Sequence, residues 1–317
     1  MKNSETVSKT ISIFRPAALI IKRAKLILCV LFMSLGIISG FAQPASALDY
    51  IVGAKGGYFI WDPYLKDIGV SEFEEMKNGD GVLYGPVLSV MFSQDFSFSL
   101  SGLYGKQSSH WMEEDAPYSG GSEYRTGHHS FNVKRLDLDG ALSYRITDNF
   151  KIFAGYKYQY LRITIENVSF RRFNGSSRLI SIVGKNKIKM PYNGPALGLG
   201  LSAPVGERFF FASNLSFLYM WGKMDMDSDS YSYDSNDLTP TKHDNGNNEK
   251  FNLRTRGINF EPSIGASMGE GLPIFTVGLR FQWTQVRFLN PAAGSDLNDK
   301  WNNDYLYGVF VSVLQPF

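Results

Sequence analysis

Apolar and polar residues alternate with a period of two along most of the chain beyond residue 47. In the segment LDLDGALSYRI, which runs from Leu136 to Ile146, the apolar side chains fall on one face and Asp137, Asp139 and Arg145 on the other. Because successive side chains of a strand point to opposite faces, this alternation predicts strands with one apolar face. The next segment, FKIFAGYKYQY, repeats the pattern after a short connection, which is typical of a tight hairpin.

The same alternation predicts ten strands, near residues 50–61, 82–93, 96–107, 131–146, 150–165, 192–204, 209–221, 253–268, 273–288 and 304–317. Their connections alternate between short turns and long polar segments rich in Gly, Asn and Asp. An even strand number with this alternation is typical of barrels in bacterial outer membranes. The sequence therefore predicts an all-β protein, a ten-stranded antiparallel up-and-down transmembrane β-barrel with long extracellular loops.

The last predicted strand, YLYGVFVSVLQPF, ends on the aromatic ring of Phe317. Closing strands of bacterial outer-membrane barrels have this form, and the terminal Phe is part of what the barrel assembly machinery recognises. We therefore expect this machinery and outer-membrane lipid, lipopolysaccharide above all, as partners. The expected location is the bacterial outer membrane, with the long loops at the cell surface.

Residues 1–47 read as a cleaved signal peptide that precedes a barrel spanning 48–317. Lys22, Arg23 and Lys25 are followed by an apolar run that is too short for a spanning helix, and the small residues Ala45 and Ala47 flank Ser46 in a cleavage motif. This segment also contains the single cysteine of the chain. An exported protein without other cysteines has no disulfide and no thiolate metal site.

The charge is nearly balanced, with 32 Lys and Arg against 30 Asp and Glu. A balanced charge gives no global field that would favour nucleic acid, so we expect no nucleic-acid partner. The sequence indicates no cofactor. A ten-stranded barrel encloses a narrow lumen that side chains can largely fill, which argues against a general porin.

Charged residues occupy lumen-facing positions of several predicted strands. The acidic members are Asp137, Asp139 and Glu261, and the basic members are Arg145, Lys151, Lys157 and Arg280. A structural network in which these charges satisfy one another is the favoured interpretation, and an ion pathway is the alternative. Binding or catalysis is then expected on the outer loops.

The predicted outer loops differ in charge. The second contains Glu113, Glu114 and Asp115, and the fourth contains Asp225, Asp227 and Asp229. Because these two hairpins stand on opposite sides of a ten-strand ring, they predict two acidic walls that attract a cationic ligand. The third loop is basic and could hold lipopolysaccharide phosphates through Arg171, Arg172, Arg178, Lys185, Lys187 and Lys189. Charges that serve only solubility are the alternative.

Between Tyr104 and Tyr231 the sequence resembles the omptins, which are ten-stranded outer-membrane proteases. The resemblance lies in HWMEED, LDLDGALSYRI with AGYKYQY, KMPYNG, and the Trp221 strand that continues into DMDSDSYSYD. It implies a water-activating mechanism with an Asp-x-Asp pair and an Asp-x-His couple. In this chain Ser108 and His110 occupy the positions of the pair. Asp227 and Asp229 lie in the region of the couple, and Asp229 or Tyr231 stands where its histidine would be.

Two further hypotheses involve the same residues. His110 could act as a relocated general base that faces Asp227 or Asp229 across the mouth. The spacing of Asp225, Asp227 and Asp229 is also that of a calcium loop, although the following residues depart from the motif. His128 and His129 are adjacent, so they would point to opposite faces of a strand and make a poor metal pair.

The favoured function is therefore an omptin-like barrel that displays surface loops for binding an unidentified ligand, as an adhesin, a receptor or a structural component, and lacks the proteolytic residues. One alternative is an endopeptidase that cuts cationic peptides with substituted catalytic residues. A narrow channel is the second alternative.

Overall fold

The computed structural model describes residues 49–68, 76–118, 123–173, 178–243, 249–269, 271–289 and 300–317. The predicted signal peptide lies outside this part of the chain. The strands are β1 Asp49–Asp62, β2 Gly79–Met91, β3 Phe96–Tyr118, β4 Glu123–Thr147, β5 Phe150–Phe173, β6 Leu179–Val205, β7 Phe209–Asp234, β8 Asp237–His243, β9 Glu249–Ser267, β10 Ile274–Phe288 and β11 Asn302–Pro316. A 3₁₀ turn, Tyr64–Asp67, follows β1.

Ten of these strands form a closed antiparallel ring, as the alternation predicts. The order around the ring is β6, β5, β4, β3, β2, β1, β11, β10, β9 and β7, and pairing of β6 with β7 closes it. Among the described residues, β8 pairs only with β7 and extends the β7 hairpin outside the ring. The fold is a transmembrane β-barrel with a short-turn end, where β1 begins and β11 ends, and a long-loop end.

An apolar band surrounds the outer face of the barrel. On β5 the outward positions run from Ile152 to Tyr160 before the outward charge of Arg162. This is about the length of 9 to 11 residues that a tilted strand needs to cross a bilayer. Outward aromatic rings such as Trp221, which is 48% exposed, mark the edge of the band at the long-loop end. No helix among the described residues is long and apolar enough to cross a membrane.

Strands β3 to β7 extend far beyond this band, and β6 is 27 residues long. The predicted second and third loops, 108–130 and 166–191, are therefore mostly paired strand. The sequence pattern missed this because polar side chains occupy both faces there, so that apolar alternation no longer marks a strand. The extended strands form a tall curved wall at the long-loop end, whereas β1, β2, β9, β10 and β11 are shorter.

Side chains fill the lumen differently at its two ends. At the long-loop end it contains a buried apolar core, which includes Phe59, Trp61, Phe131, Ile188 and Phe288. The 3₁₀ turn folds inward and adds Tyr64 and Leu65, both about 99% buried, to this core. At the short-turn end the lumen-facing residues are mostly small and polar. The barrel is thus packed at one end and open at the other.

Candidate functional site

Asp304 holds the 3₁₀ turn inside the barrel. Its Oδ1 accepts hydrogen bonds from Nε1 of Trp61 at 2.9 Å and from the backbone N–H of Tyr64 at 3.3 Å. Its Oδ2 accepts a hydrogen bond of 3.4 Å from the hydroxyl of Thr284. The hydroxyl of Tyr64 reaches the opposite wall, where it contacts Tyr192 at 3.2 Å. The turn is therefore tied to both sides of the lumen.

A layer of buried charges crosses the lumen below the apolar core. Arg135 binds Asp137 through two hydrogen bonds, of 3.0 and 3.2 Å. Lys157 Nζ lies 2.9 Å from Asp139 Oδ1 and 3.8 Å from Asp137 Oδ2. Arg280 Nη2, which comes from the other side of the ring, lies 3.5 Å from Asp137 Oδ2. The predicted network is thus formed, because opposite charges that leave water must satisfy one another.

The same layer continues to the facing strands. Arg280 Nη1 lies 3.3 Å from Glu261 Oε1, and Lys55 Nζ lies 2.6 Å from Glu261 Oε2. Lys55 also lies over the ring of Phe310, 3.9 Å from its centroid. The layer therefore links β1, β4, β5, β9 and β10 across the barrel.

The sequence prediction of this layer was partly wrong. Arg145 is exposed near the short turns, and Lys151 lies below the layer with no carboxylate within ion-pair distance among the described residues. Lys55 and Arg135 replace them. Both could have been found from parity alone, since Arg135 shares a face with Asp137 and Lys55 shares one with Phe59. Together the charged layer and the apolar core close the lumen, which counts against the channel hypothesis.

His110 does not face the mouth of the barrel. On β3 the lumen-facing positions are Ser109 and Trp111, while Ser108 and His110 point outward and His110 is exposed. The hypothesis that His110 faces Asp227 or Asp229 across the mouth is therefore wrong, because strand parity directs all three side chains to the outside.

Among the histidines whose side chains are described, His129 faces inward. Its ring stacks on Trp111 with centroids 5.2 Å apart and an interplanar angle of 10°. His128 points outward and is exposed, so the two adjacent histidines lie on opposite faces, as predicted. Trp111 in turn contacts Phe131 of the core, with centroids 6.1 Å apart. The inward histidine thus caps the apolar core. The sequence did not show which of the two faces inward, because the predicted strand began only near residue 131.

The fourth-loop carboxylates also differ from prediction. Asp225, Asp227 and Asp229 alternate along β7 with the same parity as the lipid-facing Trp221, so they lie on the outer face. The acidic wall predicted there is wrong. Asp227 and Asp229 lie 4.0 and 3.9 Å from Lys187 of β6. They cannot wrap a calcium ion, because alternate residues of one strand are about 6.8 Å apart. No group of three or more His, Cys, Asp or Glu within the described part of the chain could hold a metal ion.

The other predicted acidic wall is not tested. Glu113, Glu114 and Asp115 belong to a part of β3 for which only the backbone is described.

The basic residues of the predicted third loop fall into several environments. Lys185 pairs with Glu166 at 2.6 Å. Arg178 Nη2 binds Asp234 Oδ2 at 2.7 Å, and this hydrogen bond is the main reason why the pKa of Asp234 lies below its usual value. Arg171 takes the lumen-facing parity of β5, whereas Arg172 points outward and is exposed. Lys189 points outward, just above the apolar band.

Lys189 ends a row of four outward cations that sequence reasoning missed. Lys106 pairs in register with Lys134, Lys134 with Arg162, and Arg162 with Lys189. All four are exposed, and none has an ion-pair partner among the described residues. The row lies one position above the outward residues of the apolar band, which are Tyr104, Leu136, Tyr160 and Pro191. We call these four residues the basic row.

Higher on the same wall, beyond the ion pairs of Lys185 and Lys187, the outer face becomes apolar again. Val183 pairs in register with Tyr231, and Tyr233 lies in the next outward position of β7. With Phe170 and Leu179 they form an exposed group, in which each residue is 38 to 42% exposed. We call these five residues the wall patch. An exposed aromatic cluster of this kind usually marks a contact site.

Comparisons with known proteins give fold-level similarities only. No family model matches the chain, and no curated protein matches it. The outer membrane protease OmpT from Escherichia coli is 11% identical, with a TM-score of 0.38, over 87% of this chain and 99% of that chain. OprG from Pseudomonas aeruginosa is 14% identical, with a TM-score of 0.31, over 86% and 96%. Ail, the attachment invasion locus protein of Yersinia pestis, is 6% identical, with a TM-score of 0.30, over 86% and 100%.

Proposed function

We propose that this chain is a bacterial outer-membrane surface protein that binds a protein partner through the wall patch and is not a protease. The observation that carries the proposal is the exposure of Phe170, Val183, Tyr231 and Tyr233 together on the outer face of the wall. Large aromatic side chains dominate the binding energy of protein interfaces because they bury much area at a low cost in entropy.

The position of the wall patch favours a protein over lipid as its ligand. Three outward rows of charged and polar residues separate the patch from the apolar band, and they contain Arg162, Lys187 and Glu166. Ion pairs such as Lys185 with Glu166 lie in these rows, which are therefore in contact with water or lipid headgroups. Acyl chains do not extend that far, so the patch is presented to the surroundings of the cell.

The basic row supports the location in an outer membrane. Four neighbouring cations directly above an apolar band lie at the level where the phosphates of an anionic lipid would be, and Lys and Arg bind phosphate through charge-assisted hydrogen bonds. We propose lipopolysaccharide as this lipid. Of the six third-loop residues first nominated for it, Lys189 alone belongs to the basic row.

An omptin-like proteolytic mechanism has little support in this geometry. His110 and Asp229 both point outward, and the lumen beneath the mouth is filled by the apolar core. Dibasic fluorogenic peptides offered to the purified barrel with lipopolysaccharide test this point. We expect no turnover, and turnover that His110→Ala abolishes would overturn the non-proteolytic assignment.

The binding proposal can be tested with a phage-displayed library of random peptides selected on the detergent-solubilised barrel. Peptides that bind the wild-type protein should bind a Tyr231→Ser, Tyr233→Ser double variant at least about tenfold more weakly, because each substitution removes an aromatic side chain from the centre of the patch. Asp227→Asn, on the same strand face below the patch, is the matched control and should leave binding unchanged. Failure to select any peptide, or equal binding to the double variant, would contradict the proposal.

A further inference from the structure

Below the charged layer the lumen opens into two connected spaces at the short-turn end. The larger is a cavity of about 490 Å³ between the turns near residues 93–95 and 147–149. The smaller, of about 160 Å³, reaches up to Asp139 and Glu261 of the charged layer. Ser143, Lys151 and Asn214 line both spaces. We call the combined space the vestibule.

The vestibule exists because its lining side chains are small. Its inner part is lined by Ser99, Ser101, Ser143 and Ser216. At the other end of the lumen, Trp and Phe rings fill the corresponding space. Hydroxyl groups both donate and accept hydrogen bonds, so these walls can solvate a polar molecule. The inner part of the vestibule is therefore polar, while Met91, Phe150 and Phe210 add apolar surface near its mouth.

Among the described residues, Lys151 is the one cation that lines the vestibule between its mouth and the charged layer. Its side chain lies over Gly200, where a Cβ atom would come within 2.5 Å of Lys151 Cε. The Lys151 side chain therefore occupies space that any side chain at position 200 would fill. No described carboxylate lies within ion-pair distance of Lys151, although it is part of the vestibule wall.

The charged layer above does not supply the missing negative charge. It contains four cations, Lys55, Arg135, Lys157 and Arg280, against three carboxylates, Asp137, Asp139 and Glu261. Asp139 and Glu261 line the vestibule but are already bound by Lys157 and by Lys55 with Arg280. Asp304 also acts electrostatically on Arg135, so the layer is close to neutral, and Lys151 remains the uncompensated positive charge of the vestibule.

One unsatisfied polar atom belongs to the vestibule wall, and another lies in the charged layer above it. Nε of Arg280 and Oδ1 of Asn259 are buried without a hydrogen-bond partner in the described part of the chain, and Asn259 lines the vestibule. A buried donor or acceptor without a partner costs free energy that a bound polar molecule recovers. Excess positive charge inside a low-dielectric wall also favours an anion over neutral water.

We infer that the vestibule binds a small anion that carries a carboxylate or a phosphate group and enters from the short-turn end. Lys151 supplies the counter-charge, while Ser143 and Asn214 supply hydrogen bonds. Arg145 at the mouth adds attraction, although Asp95 and Asp148 at the rim oppose it. The site is at the opposite end of the barrel from the wall patch, so it does not depend on the proposed surface binding.

Calorimetric titration of the detergent-solubilised barrel with inorganic phosphate and, separately, with acetate tests the inference and separates the two anion classes. Binding of at least one probe should weaken by about tenfold or more in Lys151→Met, which corresponds to about 1.4 kcal/mol. Lys77→Met, an exposed cation at the other end, is the matched control. Absence of binding by both probes, or equal weakening in both variants, would overturn the inference.

A second measurement uses the wild-type protein and so does not depend on how a variant folds. Acylation of lysine amines with acetic anhydride, read by peptide mass mapping, should be slowed at Lys151 by the bound anion and left unchanged at Lys77. Equal rates at Lys151 with and without phosphate or acetate would contradict occupancy of the vestibule. Lys151→Arg keeps the charge and should keep the affinity in the titration.

Discussion

The indole Nε1 of Trp61 donates a hydrogen bond of 2.9 Å to Oδ1 of Asp304 inside the barrel, where both residues are almost fully buried. The same carboxylate oxygen accepts a hydrogen bond from the backbone N–H of Tyr64, so one side chain fixes both the end of β1 and the 3₁₀ turn. This turn adds Tyr64 and Leu65 to the apolar core at the long-loop end of the lumen. Part of the packing that closes the lumen therefore depends on one buried acceptor.

Replacement of Asp304 by Leu should destabilise the barrel, because the Trp61 and Tyr64 donors would remain buried without a partner. Each unsatisfied donor costs about 1 to 3 kcal/mol. The decrease can be measured as a shift in urea unfolding, followed by Trp fluorescence in lipid. Asn303→Ala is the matched control, since Asn303 accepts a hydrogen bond of 3.1 Å from Trp283 on the exposed outer face. Equal losses in both variants would refute the role of Asp304.

Asp137→Ala should be among the most destabilising single changes in the lumen. Asp137 faces Arg135, Lys157 and Arg280, so its removal leaves three buried cations with one carboxylate fewer. Removal of one partner from a buried network costs about 3 to 5 kcal/mol. The control is Glu166→Ala, which breaks the exposed pair with Lys185 and should cost about 0 to 1 kcal/mol. Both values follow from urea unfolding, and a small loss for Asp137→Ala would contradict the network.

The barrel itself could be predicted from alternation alone, because a lipid-facing side chain must be apolar and a lumen-facing one need not be. Leu136, Leu138 and Leu142 against Asp137 and Asp139 give the two-faced pattern, and the alternation of short turns with long polar connections distinguishes a membrane barrel from a soluble sheet. The same parity gave Asp137, Asp139, Lys157, Glu261 and Arg280 of the network, whereas Lys55 and Arg135 were not predicted. What alternation does not give is which inward charge meets which, since Arg280 and Asp137 are 143 positions apart and meet only because the ring closes.

The mouth was predicted poorly for a physical reason. Near the top of the wall polar side chains occur on both faces, so a segment such as DMDSDSYSYD has no apolar alternation that would show which side chains face the lumen. Asp227 was expected to face inward, whereas continuous pairing of β6 with β7 carries the parity of Trp221 up to it and turns it outward. The buried 3₁₀ turn after β1 gave no signal either, because its burial depends on contacts with distant strands.

A Lys134→Gln, Arg162→Gln double variant should bind anionic lipid more weakly. These residues are cross-strand neighbours at the centre of the basic row, directly above the apolar band. Each cation near an anionic membrane surface contributes about 1 kcal/mol, so two should change affinity roughly 30-fold. Co-sedimentation with lipid A micelles gives the measurement, and Lys77→Gln is the control. Unchanged affinity in the double variant would contradict the proposal that the basic row binds lipopolysaccharide.

The tip of the wall should loosen in acid. The hydrogen bonds from Arg178, and then that from the backbone N–H of Asn236, hold the pKa of Asp234 below its ordinary value of 3.8. A depressed folded-state pKa means that the unfolded tip binds the proton more tightly. The resulting stability is present above the ordinary pKa and is lost as pH falls through the lower folded value.

Hydrogen exchange at the N–H of Ser235, which donates to the carbonyl of Leu179 at 2.9 Å, reports this loosening at the tip. Intrinsic exchange also varies with pH, so protection factors are compared with those of Asp234→Asn, which has no titrating carboxylate at this position. Between about pH 6 and pH 2, protection should fall in the wild type and stay nearly constant in the variant. Equal loss of protection in the wild type and in Asp234→Asn would contradict this prediction. The loss would then come from another titrating group and not from the Arg178 to Asp234 pair.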